Sequence, residues 1–306
     1  MMTRMRVALV GLLILAILGN GLFVALLSTP SVAAANTAAP APLAAERDTL
    51  HVDQQRLESI PFDTTSFSPS SPDQLSALTY YSVGATHLFP TLNDALGIYE
   101  FRTFTLMALG ELGEVWLAND IQFPLGDCRG QVVITQQQID YLLKEFDTKI
   151  RKTDTDYFGQ PKARDGSKAT LPKQLGIPTD YYAGSARDII LIDNVRDDNF
   201  YNFPSVTTYI GGFFSPAYAG ALDRNVITID AFDWQHRTGA TPPNEPNPAS
   251  PCRNRRAIPF LYEGTFAHEY QHLIHFDYDR NEETWVNEGM SDFAEFINYY
   301  SFPNLT

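Results

Sequence analysis

Six histidines occur in 306 residues, and two of them stand four apart in His268-Glu269-Tyr270-Gln271-His272. On an α-helix, positions i and i+4 share one face about 6 Å apart, so both imidazoles can reach a single zinc ion with bonds of about 2.0 to 2.1 Å. Glu269 falls beside them. A carboxylate so placed can accept a proton from an attacking water and pass it to a leaving amine, while the metal lowers the pKa of that water. The spacing therefore points to zinc-assisted hydrolysis, with His268 and His272 as ligands and Glu269 as general base. The alternative reading is a binding or adhesive module with a degenerate or structural zinc site; Glu269 argues against it, because a structural site needs no base and closes its fourth position.

Apolar Phe266, Leu273 and Ile274 predict a partly buried helix around the motif. After a polar break over residues 277–283, a second helix is expected. On it Val286, Met290, Phe293, Ile297 and Tyr300 mark an apolar face, while Glu288, Asp292 and Glu295 fall together on another. A short connection between the two helices brings the acidic face back toward the histidines, which leaves three acids as candidates for a third ligand.

The run Phe266-Ala267-His268-Glu269-Tyr270-Gln271-His272-Leu273-Ile274-His275, followed by Trp285-Val286-Asn287-Glu288-Gly289-Met290-Ser291-Asp292, resembles the gluzincins, the thermolysin-like zinc peptidases. It is closest in wording to the hyicolysin-like and immune-inhibitor-A-like secreted bacterial peptidases, over about forty residues. The resemblance implies a zincin-like α+β fold: a mixed twisted sheet packed on a long helix, then the active-site helix and a ligand helix. It also implies Glu269 as base, Glu288 as third ligand, and Asp292 behind His268, holding one imidazole tautomer. Geometry favours the same choice. Glu288 comes earliest on the second helix, whereas Glu295 lies about 10 Å farther along it. The metzincin pattern would need Gly and His where His275 and Tyr278 stand. Seven residues along a straight helix also separate His275 from His268 by about 10 Å, which makes His275 a residue of the cleft rim. For the oxyanion, Tyr270, Tyr278, Tyr299 and Tyr300 are the chemically able donors near the motif.

Other elements must hold these two helices. Residues 104–109 and 114–118 flank Gly110-Glu111-Leu112-Gly113 and read as two strands joined by a turn. Thr135 and Gln138 form a capping-box pattern ahead of Ile139, Leu142, Leu143, Phe146 and Ile150, a long amphipathic helix. Residues 188–193, 207–214 and 225–230 are β-rich runs, and a twisted sheet follows from them. An extended peptide or protein substrate would add a strand at an exposed edge, with residues 207–214 as the candidate. Asp193, Asp197, Asp198 and Asn199 could hold Ca2+, although they lack the ordered spacing of a calcium loop.

Upstream, Arg4 and Arg6 precede an uncharged run over residues 7–27 and then Ser31, Ala33, Ala34 and Ala35. This is the grammar of a signal peptide over residues 1–35, or of a signal anchor if it stays uncut. Residues 36–76, rich in Ala, Pro, Ser and Thr, read as a linker or short prosegment, with the catalytic domain over 77–306. Export makes a secreted protein of the chain and lets Cys128 and Cys252, the only cysteines, form a disulfide. Net charge is −14. Without residues 1–35, which carry two Arg and no acid, 20 basic residues face 36 acidic ones, giving −16. Such a chain repels phosphate backbones and is no nucleic-acid binder.

Overall fold

The computed structural model describes residues 48–75, 77 and 81–300. The expected leader over residues 1–35 lies outside them. Among the described residues no helix is long and apolar enough to cross a membrane.

In chain order the elements are β1 (Thr49–Leu50), α1 (Gln54–Ser59), β2 (Thr86–Asn93), β3 (Ile98–Leu109), β4 (Gly113–Ala118), α2 (Gln136–Glu145), a π-helical turn (Phe146–Ile150) and α3 (Arg151–Phe158). There follow α4 (Leu171–Leu175), β5 (Asp188–Asp193), α5 (Asp198–Asn202), β6 (Tyr209–Ile210), β7 (Gly212–Phe214), α6 (Pro216–Ala221), β8 (Val226–Asp230), α7 (Trp234–Arg237), α8 (Leu261–Tyr278) and α9 (Thr284–Ile297). The protein is a mixed α+β fold. Six strands form one sheet in the order β2-β3-β4-β5-β8-β7. Antiparallel pairs run from β2 to β4, β4, β5 and β8 lie parallel, and β7 is antiparallel at the far edge.

The parallel centre is the apolar part. Every residue of β5 and β8 is buried, as expected of strands covered on both faces. The amphipathic helix forms where its pattern places it, and the Thr135–Gln138 capping box is made in both directions. At Phe146–Ile150 its ladder widens into a π turn. That turn aims Asp147 at the β3–β4 connection, where its carboxylate accepts from the backbone N–H of Glu111, Leu112 and Gly113 at 2.7, 3.1 and 3.0 Å. Phe146 also stacks on Phe266 of α8, with ring centroids 4.9 Å apart.

One strand was not expected from the sequence, and one boundary needs correction. β2 has no sequence signal as a strand because Pro90 sits in its middle. It lies at the sheet edge, where a proline's missing N–H leaves no ladder bond unmade. Second, the body begins earlier than residue 77. Leu57 and Ile60 are buried, Tyr99 donates its hydroxyl to the Leu57 carbonyl at 3.0 Å, and β1 pairs with β6. Two Asp residues of this stretch cap short helices: Asp53 and Asp63 accept from the N–H groups of Arg56 and Thr65. A polar, turn-rich composition here serves ordered structure and a few apolar anchors.

Cys128 and Cys252 are disulfide-bonded, Cα to Cα 5.5 Å, and tie the proline-rich loop before α8 to the loop after β4. Asp193, Asp197 and Asn199 each make hydrogen bonds within the fold. Asp193 accepts from Arg102 and Thr91, Asp197 caps α5, and Asn199 bonds Arg129.

Candidate metal centre and catalytic cleft

Residues 262–264 and 266–274 of α8 are buried, so the helix meets protein on all sides. Gly212 sets how closely it lies on the sheet: a Cβ there would stand 2.8 Å from both the Thr228 carbonyl oxygen and Thr265 Cγ2. The expected break at 277 does not occur, because α8 continues to Tyr278. Asp277 within it accepts from Arg164 Nη1 at 2.9 Å and from the Lys162 N–H at 2.7 Å. A five-residue connection then turns the chain into α9.

α9 packs with its polar face inward. Ser291 and Glu295 are buried against α8, while Phe293 and Phe296 stay 43% and 49% exposed. The apolar face assigned from periodicity is therefore only partly covered, with Phe293 against Tyr157 and Phe158. The carboxylates face the histidines, as the helix-pair reading requires.

His268 Nε2 and His272 Nε2 lie 3.1 Å apart. Glu288 places Oε2 3.3 Å from the first and Oε1 3.6 Å from the second. Four ligands bound tetrahedrally to zinc at about 2.0 to 2.1 Å stand about 3.3 Å from one another, so the donor set fits one ion in both chemistry and spacing. The other ring nitrogens both face polar groups, with hydrogen-bond contacts at His272 and nearby carboxylates at His268. His272 Nδ1 faces Asn287 Oδ1 at 3.1 Å and Ser291 Oγ at 2.9 Å. His268 Nδ1 faces Asp292 Oδ1 at 3.4 Å and Glu295 Oε1 at 3.5 Å.

The electrostatics favour positive charge at this point. Burial alone would lower the pKa of His268, but the carboxylates of Asp292, Glu288 and Glu295 hold it well above the ordinary value. His272 is pushed down to about 3 by burial and by the charge on His268, so it stands neutral with a free lone pair. Glu269 lines the same cleft. Its Oε2 accepts the Phe214 N–H of β7 at 2.9 Å, and burial pushes its pKa up to about 7 against the pull of His268.

Sequence reasoning left four contributors out. Asn287 and Ser291 orient His272; they flank Glu288 at helical spacing, a signal present in the motif. Glu295, set aside as too distant for the metal, shares His268 Nδ1 with Asp292 and is the buried member of that pair. His51 had no local signal. Its Nδ1 lies 3.1 Å from His268 Nε2 and 3.5 Å from Glu288 Oε2. The remaining isolated histidines are elsewhere, with His87 stacked on Tyr181 in the core and His236 bonded to Asp233. His275 lines the rim beside Asn287 and Glu288. Tyr270, Tyr278 and Tyr300 direct their hydroxyls to Asp188, Gln160 and Glu145. Tyr299 is largely exposed. No protein-family model matches the sequence, and no curated protein matches it either.

Proposed function

We propose that the chain is a secreted zinc-dependent endopeptidase of zincin-like fold, with His268, His272 and Glu288 as metal ligands. One observation carries the reading: two imidazole nitrogens and a carboxylate at tetrahedral-edge spacing, with a second carboxylate, Glu269, in the same cleft. Bound there, zinc supplies Lewis acidity, which polarises a carbonyl and lowers the pKa of water. Glu269 takes the proton of the attacking water and delivers it to the leaving amine. The Phe214 N–H fixes its Oε2. Asp292 and Glu295 hold the His268 ring, and Asn287 and Ser291 hold that of His272. The disulfide suits an exported protein.

A structural zinc site in a binding module is the second reading. His51 favours it, because it offers a fourth protein donor, and Glu269 speaks against it. Since His51 stands at the cleft, the test takes the His51→Ala chain as parent. That chain is expected to bind one zinc per molecule and to hydrolyse casein. Adding Glu269→Gln should abolish hydrolysis with zinc retained, and adding Glu288→Ala should strip most of the zinc. Undiminished hydrolysis with Glu269→Gln, or full zinc occupancy with Glu288→Ala, would overturn the assignment.

A further inference from the structure

Part of the run 207–214 that sequence reasoning marked for an extended substrate is already paired. β1 lies parallel to β6, with Thr49 opposite Tyr209 and Leu50 opposite Ile210, and the Tyr209 N–H donates to the Asp48 carbonyl at 3.0 Å. The next residue is His51. Its Nδ1 stands with His268 Nε2 and Glu288 Oε2 at 3.1 and 3.5 Å, the same spacing as that among the other donors. His51 thus stands against two of the three donors of the candidate site, and both come from helices α8 and α9, more than 200 residues downstream.

The geometry points to residues 48–51 as a built-in latency strap, in which His51 closes the fourth position of the metal and β1 fills the groove meant for substrate. This inference rests on the peptidase reading above. Two features hold the strap in register. Buried Arg237 grips Asp48 through paired bonds of 2.6 and 2.8 Å while also bonding the Tyr209 hydroxyl. Thr49 packs over Gly211, where a Cβ would lie 2.6 Å from Thr49 Cγ2.

Other features make it removable. The His51 side chain is 55% exposed and Leu50 is 47% exposed, so little apolar burial keeps the strap down. A strand of two residues has only a short ladder, and a polypeptide offered along β6 would compete with it for the same backbone groups. Cutting or displacing the strap would leave three protein ligands and an open position, the arrangement of a catalytic site, whereas the strapped arrangement is that of a closed one. The change is one of ligand occupancy alone.

The test uses the full chain with Co2+ in place of zinc, its visible absorption, and acetohydroxamate as a probe for an open position. The parent spectrum is expected to resist acetohydroxamate. His51→Ala, which removes an exposed side chain, should change the spectrum and take up acetohydroxamate at least about tenfold more tightly. Asp48→Asn, which loosens the strap without touching the metal, should fall between the two. Equal acetohydroxamate binding by parent and His51→Ala would overturn the strap and leave the peptidase reading standing. A His51→Ala chain that opens to acetohydroxamate but hydrolyses no casein would keep His51 as a ligand and overturn the peptidase reading. Failure of both chains to bind Co2+ or Zn2+ would overturn both.

Discussion

Glu263 sits in the first turn of the helix that carries the site, fully buried, with Oε1 accepting the Gly239 N–H at 2.6 Å. Burial pushes its carboxyl up from the ordinary 4.5 to about 7, with the Gly239 and Tyr141 hydrogen bonds pulling against it and nearby Glu145 adding to it. Between those two values the folded chain holds a proton that the unfolded chain has lost. Stability from this group is therefore greatest below pH 4.5 and falls as the pH rises to about 7, by about 3 kcal/mol in all. Glu263→Gln keeps the shape and an acceptor for Gly239 but cannot titrate. Urea unfolding of the oxidised chain at pH 5 and pH 8 should show the parent losing stability across the interval and the variant losing about 2.5 kcal/mol less. Other buried acids, such as Asp154 and Asp230, are also raised by burial and tilt both chains alike, so the difference between the chains isolates Glu263. An identical pH dependence in parent and variant would refute the assignment of a proton to buried Glu263.

Because two carboxylates face His268 Nδ1, Asp292→Asn or Glu295→Gln alone should lower zinc affinity less than about tenfold, and the double variant by about 10- to 100-fold, measured by chelator competition; additive single effects of full size would argue against sharing. Replacing Cys128 and Cys252 together by Ala should cost up to about 5 kcal/mol in denaturant unfolding, from the entropy of a loop 124 residues long. Two free thiols in the purified chain under denaturing alkylation would contradict the bridge.

The sequence determined what depends on near neighbours. Four-residue spacing puts His268 and His272 on one helix face, the Thr135–Gln138 box starts α2, and uninterrupted apolar runs mark β5 and β8, because helical and extended periodicities are fixed by the local backbone. The acidic face of α9 was legible for the same reason. Which acid lies behind His268, and which face of α9 turns inward, depended on how α8 and α9 pack, so Glu295 emerged only there. Pro90 hid β2, since an edge position is a property of the whole sheet. Residues 48–59 looked like linker because a few anchors suffice when the rest of the surface is supplied by β3, β6 and Arg237. His51 reaches His268 across 217 residues. No local pattern encodes such a meeting, which exists only once β1 finds the edge of β6 and the chain closes on itself.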